Sequence, residues 1–105
     1  MELVVYWTRF AEGKLDDIFD YYEAKVSSRI AKKLVTGIID KTIGLEKNPY
    51  IGQVEELLLH LPQNFRYLVF KNYKIIYWIN QNKNRIDIVN IFDTRQNPLK
   101  IEKLG

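Results

Sequence analysis

The stretch RYLVFKNYKIIYW, Arg66 to Trp78, decides how the chain folds. Two runs rich in β-branched and aromatic residues flank Lys71-Asn72-Tyr73-Lys74, so it reads as two strands joined by a tight turn. A turn this short joins antiparallel neighbours only. Three cations and five aromatics stand within it, more charge than a purely core-filling hairpin needs. With Asn72 and Tyr73 as the turn, Arg66, Leu68 and Phe70 share one sheet face with Ile75, Tyr77 and Ile79. Tyr67, Val69 and Lys71 then share the other with Lys74, Ile76 and Trp78.

Strand candidates cover about 65–71, 74–81 and 85–93, with Asn82-Lys83-Asn84 as the second turn. Upstream, LVVYW (Leu3–Trp7) is a β-rich run and Thr8 a helix N-cap. Ala11, Leu15, Ile18, Phe19, Tyr22 and Val26 recur at helical spacing, with Asp16, Asp17, Asp20 and Glu23 on the wet side. Ser27-Ser28 interrupts that pattern, and Ala31, Leu34, Val35, Ile38, Thr42 and Leu45 form a second apolar stripe, ended by Asn48-Pro49. Gly37 and Gly44 lie seven apart on it, a spacing that suits close approach of helix to helix or helix to sheet. Residues 49–64 form a connector in which Leu57-Leu58-Leu59 fits a short strand and a helical turn equally. The order is strand, antiparallel helix hairpin, three-stranded antiparallel meander: one α+β domain over 1–105, with the hairpin on one sheet face and the other face partly open.

Charge is uneven along the chain. Residues 1–60 hold eight Lys and Arg against ten Asp and Glu; residues 61–105 hold eight against three. The basic second half suits an acidic partner, nucleic acid or protein. There is no cysteine and one histidine, His60 in the connector, so neither a disulfide framework nor a transition-metal site is expected. No phosphate-cradling glycine motif, nucleophile elbow or dinucleotide fingerprint occurs, and no cofactor is expected. The start lacks the cationic and long apolar runs of a signal peptide, and no segment approaches the roughly 20 apolar residues of a membrane span. A cytoplasmic protein with no membrane partner is the expectation.

Arg66, Tyr77 and Arg95, the last in FDTRQNP, form a candidate anion-binding set if the strands bring both arginines to the same sheet end. Lys71 and Lys74 add charge beside them. The competing account is structural: Arg66 pairs with an acid such as Asp87 or Asp93, and Tyr77 fills the core with its hydroxyl at the rim.

The whole pattern resembles the RelE/ParE superfamily of toxins from type II toxin–antitoxin modules, closer to its ParE branch. The carrying residues are a first strand ending in Tyr6-Trp7, then A…LDDIFDYY from Ala11 to Tyr22, then L…NPYIG with Leu45, Pro49 and Gly52. After these come Arg66, NYKIIYWI with Lys74 and Tyr77, and VNIFDTRQNP with Arg95. The resemblance implies a helix hairpin packed on an antiparallel sheet. It implies a cognate antitoxin as partner, in a homodimer or a toxin–antitoxin hetero-oligomer, and a target that is DNA gyrase or the ribosome with its mRNA. In the ribonuclease branch Arg66, Tyr77 and Arg95 would be the catalytic candidates. That branch also uses a C-terminal tyrosine or histidine for proton transfer, and RQNPLKIEKLG has neither. General acid–base groups contribute about 10²–10⁴-fold each, so the resemblance points to growth inhibition by binding gyrase. An mRNA endonuclease and a non-toxic partner-binding remnant are the alternatives. In either toxin reading Arg66, Lys71, Lys74, Tyr77 and Arg95 belong to the surface that meets target or antitoxin.

Overall fold

The computed structural model describes residues 2–102. The chain runs through β1 (Val4–Trp7), α1 (Arg9–Lys25), α2 (Ser28–Lys41), β2 (Gln53–Val54), β3 (Arg66–Phe70), β4 (Tyr73–Asn80) and β5 (Arg85–Asp93). Single 3₁₀ turns lie at Glu56–Leu58, Gln81–Lys83 and Pro98–Glu102. The α+β architecture expected from the sequence is the one observed, but the sheet is wider than the meander. It has five strands in the order β1-β5-β4-β3-β2. β1 joins β5 in parallel, the helix hairpin carries the chain from β1 to the opposite edge of the sheet, and two connector residues there add β2 antiparallel to β3.

Both helices start at the capping residues read from the sequence. Thr8 Oγ1 accepts from the Ala11 amide at 3.2 Å, and Ser27 Oγ accepts from the Ile30 amide at 3.2 Å. Each side chain satisfies one otherwise orphaned helical N–H. α2 ends earlier than Asn48-Pro49: its last residue is Lys41, and residues 42–47 continue as turns. Gly44 explains this. Its φ of +97° ends the helical register, and a Cβ there would meet nothing within 4 Å, so no close approach requires the glycine. Gly44 is thus a helix terminator, while Gly37 is the close-approach residue: a Cβ there would lie 2.3 Å from the Phe70 ring of β3.

The β3–β4 register sets Arg66 opposite Tyr77, Leu68 opposite Ile75 and Phe70 opposite Tyr73. The faces are those expected, although the turn is Lys71-Asn72 and Tyr73 already belongs to the strand. Lys71 takes φ +53° to make it. In β5 the pairing shifts between Ile76 and Tyr77, leaving Val89 as an extra residue. That shift lets Ile86 and Ile88 face the helices before it and Ile91 face them after it.

The helix-side core joins Ala11, Ile18, Leu34 and Ile38 to Ile75, Tyr77, Ile86, Ile88 and Ile91. The opposite face is more closed than expected. Leu58 and Phe65 from the connector and Ile101 from the C-terminal turn cover Ile76, Val89 and Phe92 in a second buried cluster. Leu57-Leu58-Leu59 belongs to a 3₁₀ turn and its exit, with Leu58 buried and its two neighbours exposed.

Candidate functional site

The sheet carries its cations at two ends. Arg66 stands level with Tyr77 and, through it, Ile88, while Phe70 stands level with Tyr73 and Asp93. Four residues separate these levels, roughly 13 Å along the strands, and Arg95 lies two residues beyond Asp93. The two arginines therefore lie toward opposite sheet ends, not together. The chain reverses twice between them, so β3 and β5 run in the same direction and the start of one lies at the opposite end from the end of the other.

At one end Arg66, Tyr77 and the connector form a joint. The Tyr77 hydroxyl donates to the Pro49 carbonyl at 2.8 Å and accepts from the Gly52 amide at 2.9 Å. Its side chain is fully buried, and desolvation, the largest influence, pushes the phenol up from its ordinary pKa. Arg66 donates to the carbonyls of Gly52 at 2.7 Å and Tyr50 at 3.2 Å, with its guanidinium 5.1 Å from the Tyr50 ring centroid. A Cβ on Gly52 would sit 2.5 Å from the Tyr77 oxygen, so the joint needs glycine there. Tyr77 thus reaches no solvent and meets no ligand directly. Arg66 pairs with neither Asp87 nor Asp93; those acids hold Arg85 and Arg95.

Lys74 is a second connector fastening, on the other face. Its Nζ lies 2.7 Å from Glu55 Oε2 and 4.3 Å from the Tyr67 ring centroid. Glu55 is 2% exposed. A carboxylate buried so deeply is tolerated because Lys74 and the Leu57 amide both donate to it.

The other end is open. Arg95 is 64% exposed and forks onto Asp93, through Nε to Oδ1 at 3.1 Å and Nη2 to Oδ2 at 2.9 Å. The Arg95 hydrogen bond, with help from the Arg95 and Asn72 amides, holds the Asp93 carboxyl down at about 2. Asn72 Nδ2 donates to Asp93 Oδ1, and both the amide and hydroxyl of Thr94 donate to the Asn72 carbonyl. The β3–β4 turn and the DTR segment are thereby one unit. Tyr22 of α1 stands beside Tyr73 and Arg95, and burial raises the Tyr73 phenol strongly. These residues line a cleft of about 370 Å³ with Lys14 and Asp17. Next to it a larger groove of about 840 Å³ runs between α2 and β3. Tyr22, Ile30, Leu34, Gly37 and Phe70 form its apolar bed, and Lys32, Lys33 and Lys71 against Asp40 alone make its margin net basic.

Lys71 and Arg95 are thus brought to one end; Arg66 and Tyr77 are brought together at the other; Lys74 stands apart. Sequence reasoning missed Glu55, Tyr22 and the Asp93–Arg95 pairing. The last was readable: acid and arginine two apart at a strand end share a face, as Arg85 and Asp87 also do. Among the described residues no cluster of His, Asp or Glu suits a metal ion, and no helix is long and apolar enough to cross a membrane.

A helix hairpin laid on a five-stranded sheet, with grooves opening at the hairpin's side, defines the class: the RelE/ParE-type fold of small toxins. Residues 5–98 match the family model for the ParE toxin of the type II toxin–antitoxin system, parDE, and the chain belongs to that family. It is a toxin component of the ParE branch. A solved structure described as a chromosomal ParDE TA system from P. aeruginosa superposes with a TM-score of 0.74. It is 24% identical and covers 88% of this chain and 96% of the other, a likeness of fold. No curated protein matches this sequence.

Proposed function

We propose that this toxin arrests growth by binding DNA gyrase through the Lys71–Arg95 end and is neutralised by an antitoxin segment laid in the α2–β3 groove. The observation that carries the reading is the groove itself: an apolar bed with lysines at its margin beside an unfilled strand edge. β2 pairs only with Arg66 and Tyr67, so among the described residues nothing pairs with the outer edge of Leu68–Phe70. An extended or helical segment with apolar anchors and acidic residues fits that combination. The likeness to the ParDE system named above supports an antitoxin as a partner.

Binding, not RNA cleavage, is favoured by the spread of the cations. A ribonuclease needs phosphate-holding cations and a proton-transfer group around one point. Here Arg66 and Arg95 are apart, Tyr77 is buried, and His60 lies 3.3 Å from Glu102 on the surface of the connector. The test is inducible expression in a bacterial host, with plasmid supercoiling and mRNA ends read from the same culture. Relaxed or broken DNA with intact mRNA is the expected result. Cleaved mRNA with normal DNA would make the protein a nuclease. Normal growth at full expression would make it a non-toxic partner-binding remnant.

A further inference from the structure

The dipeptide Gln-Asn occurs three times in this chain, at 63–64, 81–82 and 96–97. The fold brings the first two together, with Asn80, around one cleft of about 470 Å³ at the Arg66 end of the sheet. Gln63 and Asn64 come from the connector just before β3, and Asn64 is held at φ +57°. Asn80, Gln81 and Asn82 come from the end of β4 and the turn after it. Tyr50 and Trp78 add aromatic rings, and Arg66 is the charged residue of the wall. No carboxylate lines the cleft.

We infer that this cleft binds a single unpaired nucleotide, with the base among the carboxamides and the phosphate on Arg66. Three observations converge on that ligand. The carboxamides of Gln63, Asn64, Gln81 and Asn82 present a donor and an acceptor side by side, the arrangement that reads the edge of a base, while Asn80 is held beneath them by its bond to Asp87. Aromatic side chains beside them offer faces for stacking. The third is charge. Arg85, Lys74 and Arg95 each face a carboxylate, whereas Arg66 is held by two backbone carbonyls, which fix its direction and leave its charge uncompensated. A positioned guanidinium without a counter-ion suits a phosphate. The joint that locks Tyr77 to Pro49 and Gly52 keeps this wall rigid before any ligand arrives.

The cleft is distinct from the α2–β3 groove and the Arg95 end, so the inference stands whether or not gyrase is the target. The experiment is NMR titration of the full-length chain with AMP, GMP, CMP and UMP, with short single-stranded oligonucleotides, and with inorganic phosphate. The side-chain NH₂ signals of Gln63, Asn64, Asn80, Gln81 and Asn82 and the Trp78 indole signal are the readout. Saturable shifts confined to these groups are expected, with at least one base preferred. Gln63→Ala with Asn82→Ala should weaken binding tenfold or more. Gln96→Ala with Asn97→Ala, in the third pair outside the cleft, should leave it unchanged. Binding of mononucleotides and oligonucleotides alike would mean a site for free nucleotide; binding of oligonucleotides only would mean a site on a single strand. The inference is overturned if inorganic phosphate binds as well as the nucleotides, if shifts gather instead at Lys71 and Arg95, or if no signal moves at millimolar ligand.

Discussion

Arg66 and Arg95 are the same residue type on the same sheet, yet the fold uses them in contrasting ways. Arg66 points its guanidinium at two carbonyls of the connector, next to a tyrosine with no exposed surface. Arg95 is exposed and leans on one acid two residues before it. The first arginine is set by long-range structure, the second by its own strand end. An arginine fixed by backbone carbonyls from fourteen and sixteen residues away is a report on the fold. One fixed by its neighbour is free to serve as surface. Mutations should divide accordingly: those at the Arg66 end act through stability, and those at the Arg95 end act on growth arrest with the fold intact.

The largest effect expected is at the centre of the joint. Tyr77→Ala removes a fully buried ring and both connector hydrogen bonds, and should cost about 3–5 kcal/mol, as large-to-small core substitutions do. Tyr77→Phe keeps the ring but leaves the Pro49 carbonyl and Gly52 amide without their partner, for about 1–3 kcal/mol. Both are read from urea midpoints at constant slope. A Tyr77→Phe protein as stable as the parent would show that the connector is not fastened there. A contrasting result is expected from Arg95→Ala. The urea midpoint should fall only slightly at neutral pH, because Arg95 is exposed and solvent screens its pair with Asp93, while growth arrest is lost. Arg95→Ala that unfolds the protein, or that leaves it fully toxic, breaks the comparison.

Lys71 gives a smaller and cleaner test at the open end. It occupies left-handed backbone space that asparagine tolerates better than lysine. Lys71→Asn should therefore hold or slightly raise the unfolding midpoint while removing one charge from the groove margin. Antitoxin affinity should fall by several-fold and become less salt-sensitive. An unchanged affinity at low salt would remove Lys71 from the antitoxin surface.

Much of this fold was legible because local signals agreed with one another. Thr8 and Ser27 are capping residues followed by helical stripes, and both cap. The hairpin faces followed from strand periodicity alone, and even the misplaced turn left them intact, since moving it by one residue on each strand preserves parity. What was not legible depended on particular distant contacts. No pattern in 49–64 announces that Glu55 is buried against Lys74, or that Pro49 and Gly52 meet Tyr77. The closing of the second face by Leu58 and Ile101 was hidden for the same reason, as was the parallel pairing of β1 with β5. The site was mislocated for a topological reason: Arg66 and Arg95 were expected together, but two reversals make β3 and β5 run the same way, which sets the start of one and the end of the other at opposite sheet ends.

The smallest effect is also the most direct probe of the Arg95 end. Asp93 titrates at about 2 because Arg95 hydrogen-bonds its ionised form, with the Arg95 and Asn72 amides adding to this and partial burial opposing it. A carboxyl whose folded pKa lies below its unfolded value stabilises the fold fully above the unfolded value near 4. That contribution fades as pH falls from there through about 2. In Arg95→Ala the leading cause is gone, so the Asp93 midpoint should move up toward the ordinary carboxylate range, and the acid-sensitive window should narrow. Carboxyl carbon NMR of the two proteins measures this directly. At the Arg66 end no acid among the described residues pairs with the guanidinium, so Arg66→Ala should leave the Asp93 midpoint where it is. If Arg66→Ala moved it as far as Arg95→Ala does, the two ends would be electrostatically one site, and the division drawn between them would have to be abandoned.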